Sequence, residues 1–291
     1  MGALPHTSHI PVINAGIGHF SYTTMSMLSY DRKDNTLQED KKNIIQQRQR
    51  YEKYRKENNI PLLDTASTRE EKIDEKQIYH MTGMDAITSM SDLKKVYKGG
   101  VRIFQPRREE DNAWGESYRS NSGWLNQRGI QAIQRLGSQT AIIDCTNAHP
   151  TTIHELSEIY HKPMIIRSSS RSLHPSIYNY EDDILESITD KWWLICVPLD
   201  QNNIGDNTID TRIQHIRYMI SKRWDKNIAF ASGRNATLST EYIERTSHTQ
   251  DINHIAEQLT KNFGKKVTEK ILRNNAYHFL KKHFAGKKEI N

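Results

Sequence analysis

Thr140–Pro150 reads T-A-I-I-D-C-T-N-A-H-P, and Lys162–Arg171 reads K-P-M-I-I-R-S-S-S-R. Each is a short β-branched run ending in polar residues, and Thr151–Tyr160 between them has helical spacing. That is the grammar of a βαβ unit in a parallel sheet, where strand ends carry the chemistry. The alternation continues downstream: Asp182–Thr189 reads as helix, Trp192–Val197 as strand, Asp210–Lys222 as helix and Ile228–Ala231 as strand, with Asp251–Phe284 helical. Upstream, Gly129–Leu136 reads as helix. Val101–Phe104 reads as a strand preceded by the amphipathic helix Ser91–Lys98 and Gly99-Gly100. Gln77–Thr82 is a further strand, Thr68–Lys76 a capped surface helix, Thr36–Asn59 a long helix with a narrow apolar stripe, and Ile10–Phe20 a first strand.

Strands and helices alternating at this spacing predict an α/β fold. A strand count near eight favours a closed (β/α)8 TIM-like barrel over an open sheet. No linker or repeat interrupts the chain, so residues 1–291 are expected to form one domain, with 251–291 a helical segment packing on the barrel. The loop from Gln105 to Ser122 is long and charged, a length that marks functional or mobile loops.

Composition narrows the function classes. The chain has 291 residues, 35% of them hydrophobic, and a formal charge of +6. Lys and Glu are interspersed along most helices, and no zinc-finger spacing or RNA-binding signature occurs, so no nucleic-acid partner is expected. Met1–Gly18 lacks the charged and apolar regions of a secretory signal, and no run of 18 apolar residues occurs. No membrane partner is expected, and a cytoplasmic location is. Cys145 and Cys196 lie in apolar runs and read as buried thiols. Trp192 and Trp193 read as core residues of a strand, and His154, His161 and His278 as surface residues on helices.

Five segments in order resemble the renal (membrane) dipeptidase family of zinc peptidases. G-W-L-N-Q-R-G-I-Q-A-I-Q-R-L-G (Gly123–Gly137) resembles its Gly-Leu-Thr…Gly helix, and D-C-T-N follows where that family has Asp-x-Ser-His. K-P-M-I-I-R-S-S-S-R is similar to its Pro-Val-Ile-x-Ser-His-Ser, and Asn179–Leu185 to its Arg-Asn-x-x-Asp helix start. Ser91–Arg102 with Asn112–Ser117, and Lys270–Leu280, resemble its Gly-Val-Arg strand with the following loop and its closing helix. The resemblance implies a TIM-like barrel of the metal-dependent-hydrolase type, and members of that family are often homodimers.

It also implies a dinuclear zinc site, and here the matching positions carry the wrong chemistry. The first-strand His-x-Asp falls on Gly16 and Gly18, and the bridging Glu on Thr82. The two strand-end histidines fall on Asn147 and Ser168, the last-strand Asp on Gly233, and the clamping Arg on Tyr178, beside a retained Asn179. A divalent ion needs anionic or imidazole donors, so losing the set predicts no metal, no cofactor and no zinc-dependent peptidase activity.

The rim that remains holds candidates of its own. Asn147, Arg167, Ser168, Ser169, Asn179 and Arg234 are the expected ligand-binding residues, for a small anionic or peptide-like ligand. Asp144 and His149 are the acid–base candidates. Three readings stay open: a pseudoenzyme that binds its ligand, an enzyme repurposed for metal-free chemistry on a peptide-like or carboxylate metabolite, and an ordinary zinc dipeptidase whose ligands lie elsewhere. A replacement metal site from His19, His80, His149 and His174 is a further alternative.

Overall fold

Val101–Gln105 illustrates why strands form where they do: five residues, all buried, follow a helix stopped by Gly99 and Gly100, the latter at φ +96°. The computed structural model describes residues 23–28, 37–57, 59, 61–63, 77–106, 111–116, 122–198, 201–206, 208–231 and 249–284. The expected strand Ile10–Phe20 and helix Thr68–Lys76 lie outside them. The described residues divide into two compact units, the first lying between 24 and 164 together with 283 and 284, the second running from 165 to 282.

The first unit carries a sheet in the order β1-β2-β3-β4, formed by Thr23–Leu28, Gln77–Thr82, Val101–Gln105 and Ile142–Ile143. β2, β3 and β4 run parallel. Its helices are α1 (Leu37–Glu57), α2 (Met90–Lys98), α3 (Gln127–Gly137) and α4 (Pro150–Ile159). Ser89 caps α2 through a bond from Asp92 N, and Asn126 caps α3 through one from Gly129 N. Tyr79 of β2 donates its hydroxyl to Glu52 of α1 at 2.6 Å, which with burial pushes the phenol well above its usual pKa.

One irregularity in this sheet decides what faces where. Tyr79 pairs with Val101 but His80 pairs with Ile103, so Arg102 is the extra residue on β3. Arg102 is buried, donates to the carbonyls of Tyr97 and Val101, and lies over the Tyr97 ring at 4.2 Å. Beyond the bulge, Met81 and Phe104 pair, with Ile143 next to them, all fully buried. Alternation then puts His80, Thr82, Ile103, Gln105, Ile142 and Asp144 on the opposite face.

The second unit holds β5 (Ile165–Arg167), β6 (Leu194–Pro198) and β7 (Ile228–Ala231), all parallel in that order. Its helices are α5 (Asp182–Asp190), α6 (Gln201–Ile204), α7 (Ile209–Ser221), α8 (Thr249–Phe263), α9 (Lys265–Glu269) and α10 (Asn275–Phe284), the last two residues of α10 belonging to the first unit. The expected C-terminal helix is broken by Gly264 at φ +78° and by a π-helical turn, Lys270–Asn274. Lys270 reaches Asp225 at 2.6 Å, and Asn275 donates to the carbonyls of Asp225 and Ile228, so this turn aims the last helix at the start of β7. No described helix is long and apolar enough to cross a membrane.

Helices α5 and α7 end alike. Trp192 N bonds to Thr189 O and Trp193 N to Ile188 O, while Arg223 N bonds to Ile220 O and Trp224 N to Met219 O. Each is a Schellman cap, with Trp192 (φ +62°) and Arg223 (φ +66°) at the left-handed position and a buried Trp following. Here the expectation for Trp192 fails: the strand begins at Leu194, and Trp192 is 62% exposed, with Lys282 over its ring. The left-handed backbone turns this residue outward, and only Trp193 enters the core. Trp192→Gly should raise the unfolding free energy by about 1 kcal/mol in urea titration, because glycine meets no Cβ penalty there.

Candidate functional site

At the strand ends of the first unit, polar side chains gather on the face set by the bulge. His80 Nε2 lies 3.2 Å from Asp144 Oδ2, with both side chains nearly buried. Thr146 closes on the same carboxylate, its N–H at 2.8 Å and its hydroxyl at 2.5 Å from Oδ1. Gln105 donates to the Thr146 carbonyl at 2.8 Å. Burial alone would push the Asp144 carboxyl upward, but His80 and Thr146 outweigh it and hold it below its ordinary value. Asp144 is therefore a buried, ionised carboxylate held against an imidazole.

Asn147 follows in the turn Cys145–Ala148, which Ala148 N closes onto Cys145 O at 2.9 Å. Its φ of +62° is a conformation asparagine tolerates better than most side chains, which gives a backbone reason for its presence. Cys145 is buried with its sulfur 3.5 Å from Met164 Sδ. His149 is the N-cap of α4: Nδ1 accepts from Thr151 N at 3.2 Å and sits 2.8 Å from the Thr151 hydroxyl. Gly123, at φ +67°, lies against it so closely that a Cβ there would overlap the His149 Cβ.

In the second unit, Arg167 ends β5 in register with Cys196, half-buried, and Ser168, Ser169 and Ser170 follow fully buried. Asn179 accepts from Ser169 N at 3.0 Å and donates to the carbonyls of His174 and Asn203 at 3.0 and 2.7 Å. Asn203 donates to Asn179 Oδ1 and to the Tyr178 carbonyl. The Ser169 hydroxyl meets His215 Nδ1, and Ser170 donates to Asp182, which also receives Tyr218 and Lys222. Gly16, Gly18, Gly233, Arg234 and His19 lie outside the described residues.

Gln105, Asn203 and His215 were not singled out from the sequence, and His80 entered only as one of the four histidines of an alternative metal site. Thr82 was the position matched to the family's bridging Glu; the alternation of His80 and Thr82 with Tyr79 and Met81 is the local signal that the two polar side chains share a face. His215 falls on the buried stripe Arg212–Ile216–Met219 of α7, a polar residue where that spacing calls for an apolar one.

The fold is that of known metallopeptidases. The structure of the M19 metallopeptidase dipeptidase AC superposes with a TM-score of 0.79 at 12% identity, covering 96% of this chain and 90% of that one. The probable dipeptidase PvdM of Pseudomonas aeruginosa gives 0.78 at 14%, covering 94% and 88%. A Rhodobacter sphaeroides metallopeptidase, solved with a phosphinate mimic of the dipeptide L-Ala-D-Ala, gives 0.78 at 13%, covering 94% and 89%. At such identities the likeness shows the fold alone, an α/β TIM-like barrel. An uncharacterized dipeptidase of Schizosaccharomyces pombe is 28% identical over 147 residues, a stretch spanning 46% of this chain and 35% of that protein.

A two-metal centre needs several carboxylates and imidazoles converging on each ion. Among the described residues no three His, Cys, Asp or Glu side chains converge in that way. Asp144 is engaged by His80 and Thr146, and the matching positions hold Thr82, Asn147 and Ser168. The described residues do not fit the ions. The family itself is settled by a model match over residues 18–289: the chain belongs to the membrane dipeptidases, peptidase family M19.

Proposed function

We propose that this chain is a membrane-dipeptidase-family protein without dinuclear zinc peptidase chemistry, and that it holds a small anionic or peptide-like ligand at its strand ends. The observation that carries this reading is the donor set. Where the family resemblance calls for metal-binding carboxylate and imidazole, the described strand ends offer hydroxyls and amides, and the buried carboxylate of Asp144 is already engaged by His80 and Thr146. Hydroxyl and amide groups suit a ligand that brings its own charge, and Arg167, half-buried at the end of β5, supplies a guanidinium for a carboxylate or phosphate.

Elemental analysis of the purified protein tests the first half. Substoichiometric zinc is expected, and two tightly held equivalents would overturn it. The second half is read by thermal shift against dipeptides, dicarboxylates and inorganic phosphate. At least one class is expected to raise Tm, and Arg167→Ala to abolish that shift; a shift that survives the substitution removes Arg167 from the site.

The His80–Asp144 pair favours a second reading, metal-free acid–base chemistry on a carboxylate-bearing or peptide-like metabolite. An imidazole oriented by an ionised carboxylate is the arrangement a general base uses. Hydrolysis of simple dipeptides by metal-free protein, lost in His80→Gln, would select it over a pure binding role.

A further inference from the structure

We infer that His215 is the positioning residue for the segment after β5, residues 168–180, holding it closed through the Ser169 hydroxyl and letting it open when the imidazole takes up a proton. This deepens the ligand reading, since the segment follows directly on Arg167.

The geometry defines the latch. The Ser169 hydroxyl and His215 Nδ1 are hydrogen-bonded, and in the latched state we assign the hydroxyl as donor to a neutral ring whose proton sits on Nε2, the tautomer that the Ile204 carbonyl's pull on the ring favours. Ser169 is fully buried and His215 is 3% exposed, so neither group can turn to water instead. From Ser169 the bonds run on: its N–H to Asn179, and from Asn179 to His174 O and Asn203. One imidazole thus ties the strand end, the returning segment and α6 into a single polar network. Such networks are strong when every member is satisfied and fail together when one is not.

Protonation would set a ring donor against a hydroxyl donor. The Ser169 hydroxyl must then reverse, its hydrogen loses its acceptor, and a charge appears inside the unit. Burial disfavours that charge and lowers the ring's proton affinity; His174 opposes it too, while the Ile204 carbonyl and Asp206 favour it. His174, from the segment itself, and Asp206, from the turn before α7, are the titratable groups that bear on the ring, and Arg212 stands one turn earlier on α7 beside Asp206. Because the folded state prefers the neutral ring, the latch is fully made above the ordinary histidine range and weakens as pH falls below it. Leu173 and Ile177, both exposed, ride on this segment and move with it.

Hydrogen–deuterium exchange of the ligand-free protein tests the latch, with intrinsic rates corrected for pH. Between pH 7.5 and 5, amides of 168–180 and 203–206 should exchange faster, the opening constant rising by up to about tenfold per pH unit, the slope of one proton. His215→Asn keeps an acceptor facing Ser169 and cannot titrate, so its exchange should stay flat with pH. Ser169→Ala should exchange fast at both values, and it serves equally if the asparagine variant does not fold. A flat wild-type profile, the same rise in His215→Asn, or a Ser169→Ala protein as protected as wild type at pH 7.5 would each overturn the inference. No ligand enters this measurement, so its failure and that of the ligand-binding reading are separate results.

Discussion

Asp144→Ala is expected to lower the unfolding free energy by about 3 kcal/mol, measured by urea titration at pH 7. The substitution removes a carboxylate that is almost wholly buried, faces His80 at 3.2 Å and accepts two bonds from Thr146. Breaking a buried pair by deleting one partner leaves the other desolvated, and here the Thr146 donors are orphaned as well. The same pair fixes the acid side of the stability curve. Asp144 has a folded pKa below its unfolded value, so it stabilises the fold above the ordinary aspartate range. That contribution is lost as pH falls through the folded value. Asp144→Ala should therefore show a shallower loss of stability below pH 4 than wild type. Equal stability of the two proteins at pH 7 would mean that the carboxylate is not what holds His80 and Thr146 together.

Gly129→Ala is expected to cost about 3 kcal/mol, against the gain of nearly 1 kcal/mol that alanine normally brings inside a helix. A Cβ at Gly129 would stand 2.1 Å from the Trp114 carbonyl oxygen, and backbone cannot swing aside as a side chain would. That carbonyl also accepts Asn126 N at 3.2 Å, while the Trp114 indole, 1% exposed, donates to Met84 O. Moving the peptide therefore disturbs the start of α3 and the segment after β2 together. A variant as stable as wild type would show that this peptide shifts freely.

Strands and helices were legible because their signals are local. Gln77–Thr82 and Ile228–Ala231 appear at the bounds that β-branched runs and flanking turn residues give them. α6 was missed because Gln-Asn-Asn-Ile is too short and polar to show periodicity, and the strand Thr23–Leu28 because its Thr, Met and Ser carry no clean alternation. The site was less legible, since its geometry is non-local. Asp144 could be read as a strand-end carboxylate, but its partner depends on the extra residue Arg102, which shifts β2 against β3. His149 carried a local sign of its capping role: Pro150 directly after it stands at the first helical position.

The Ala141 carbonyl takes the Tyr160 hydroxyl on one side and His283 Nε2 at 2.6 Å on the other. Its second donor lies 142 positions further along the chain. A ribosome that has delivered every strand of the first sheet has thus still not supplied the side chain that completes it. Until His283 leaves the exit tunnel, water must stand in for that second donor, so this corner of the first unit closes only when synthesis is nearly done.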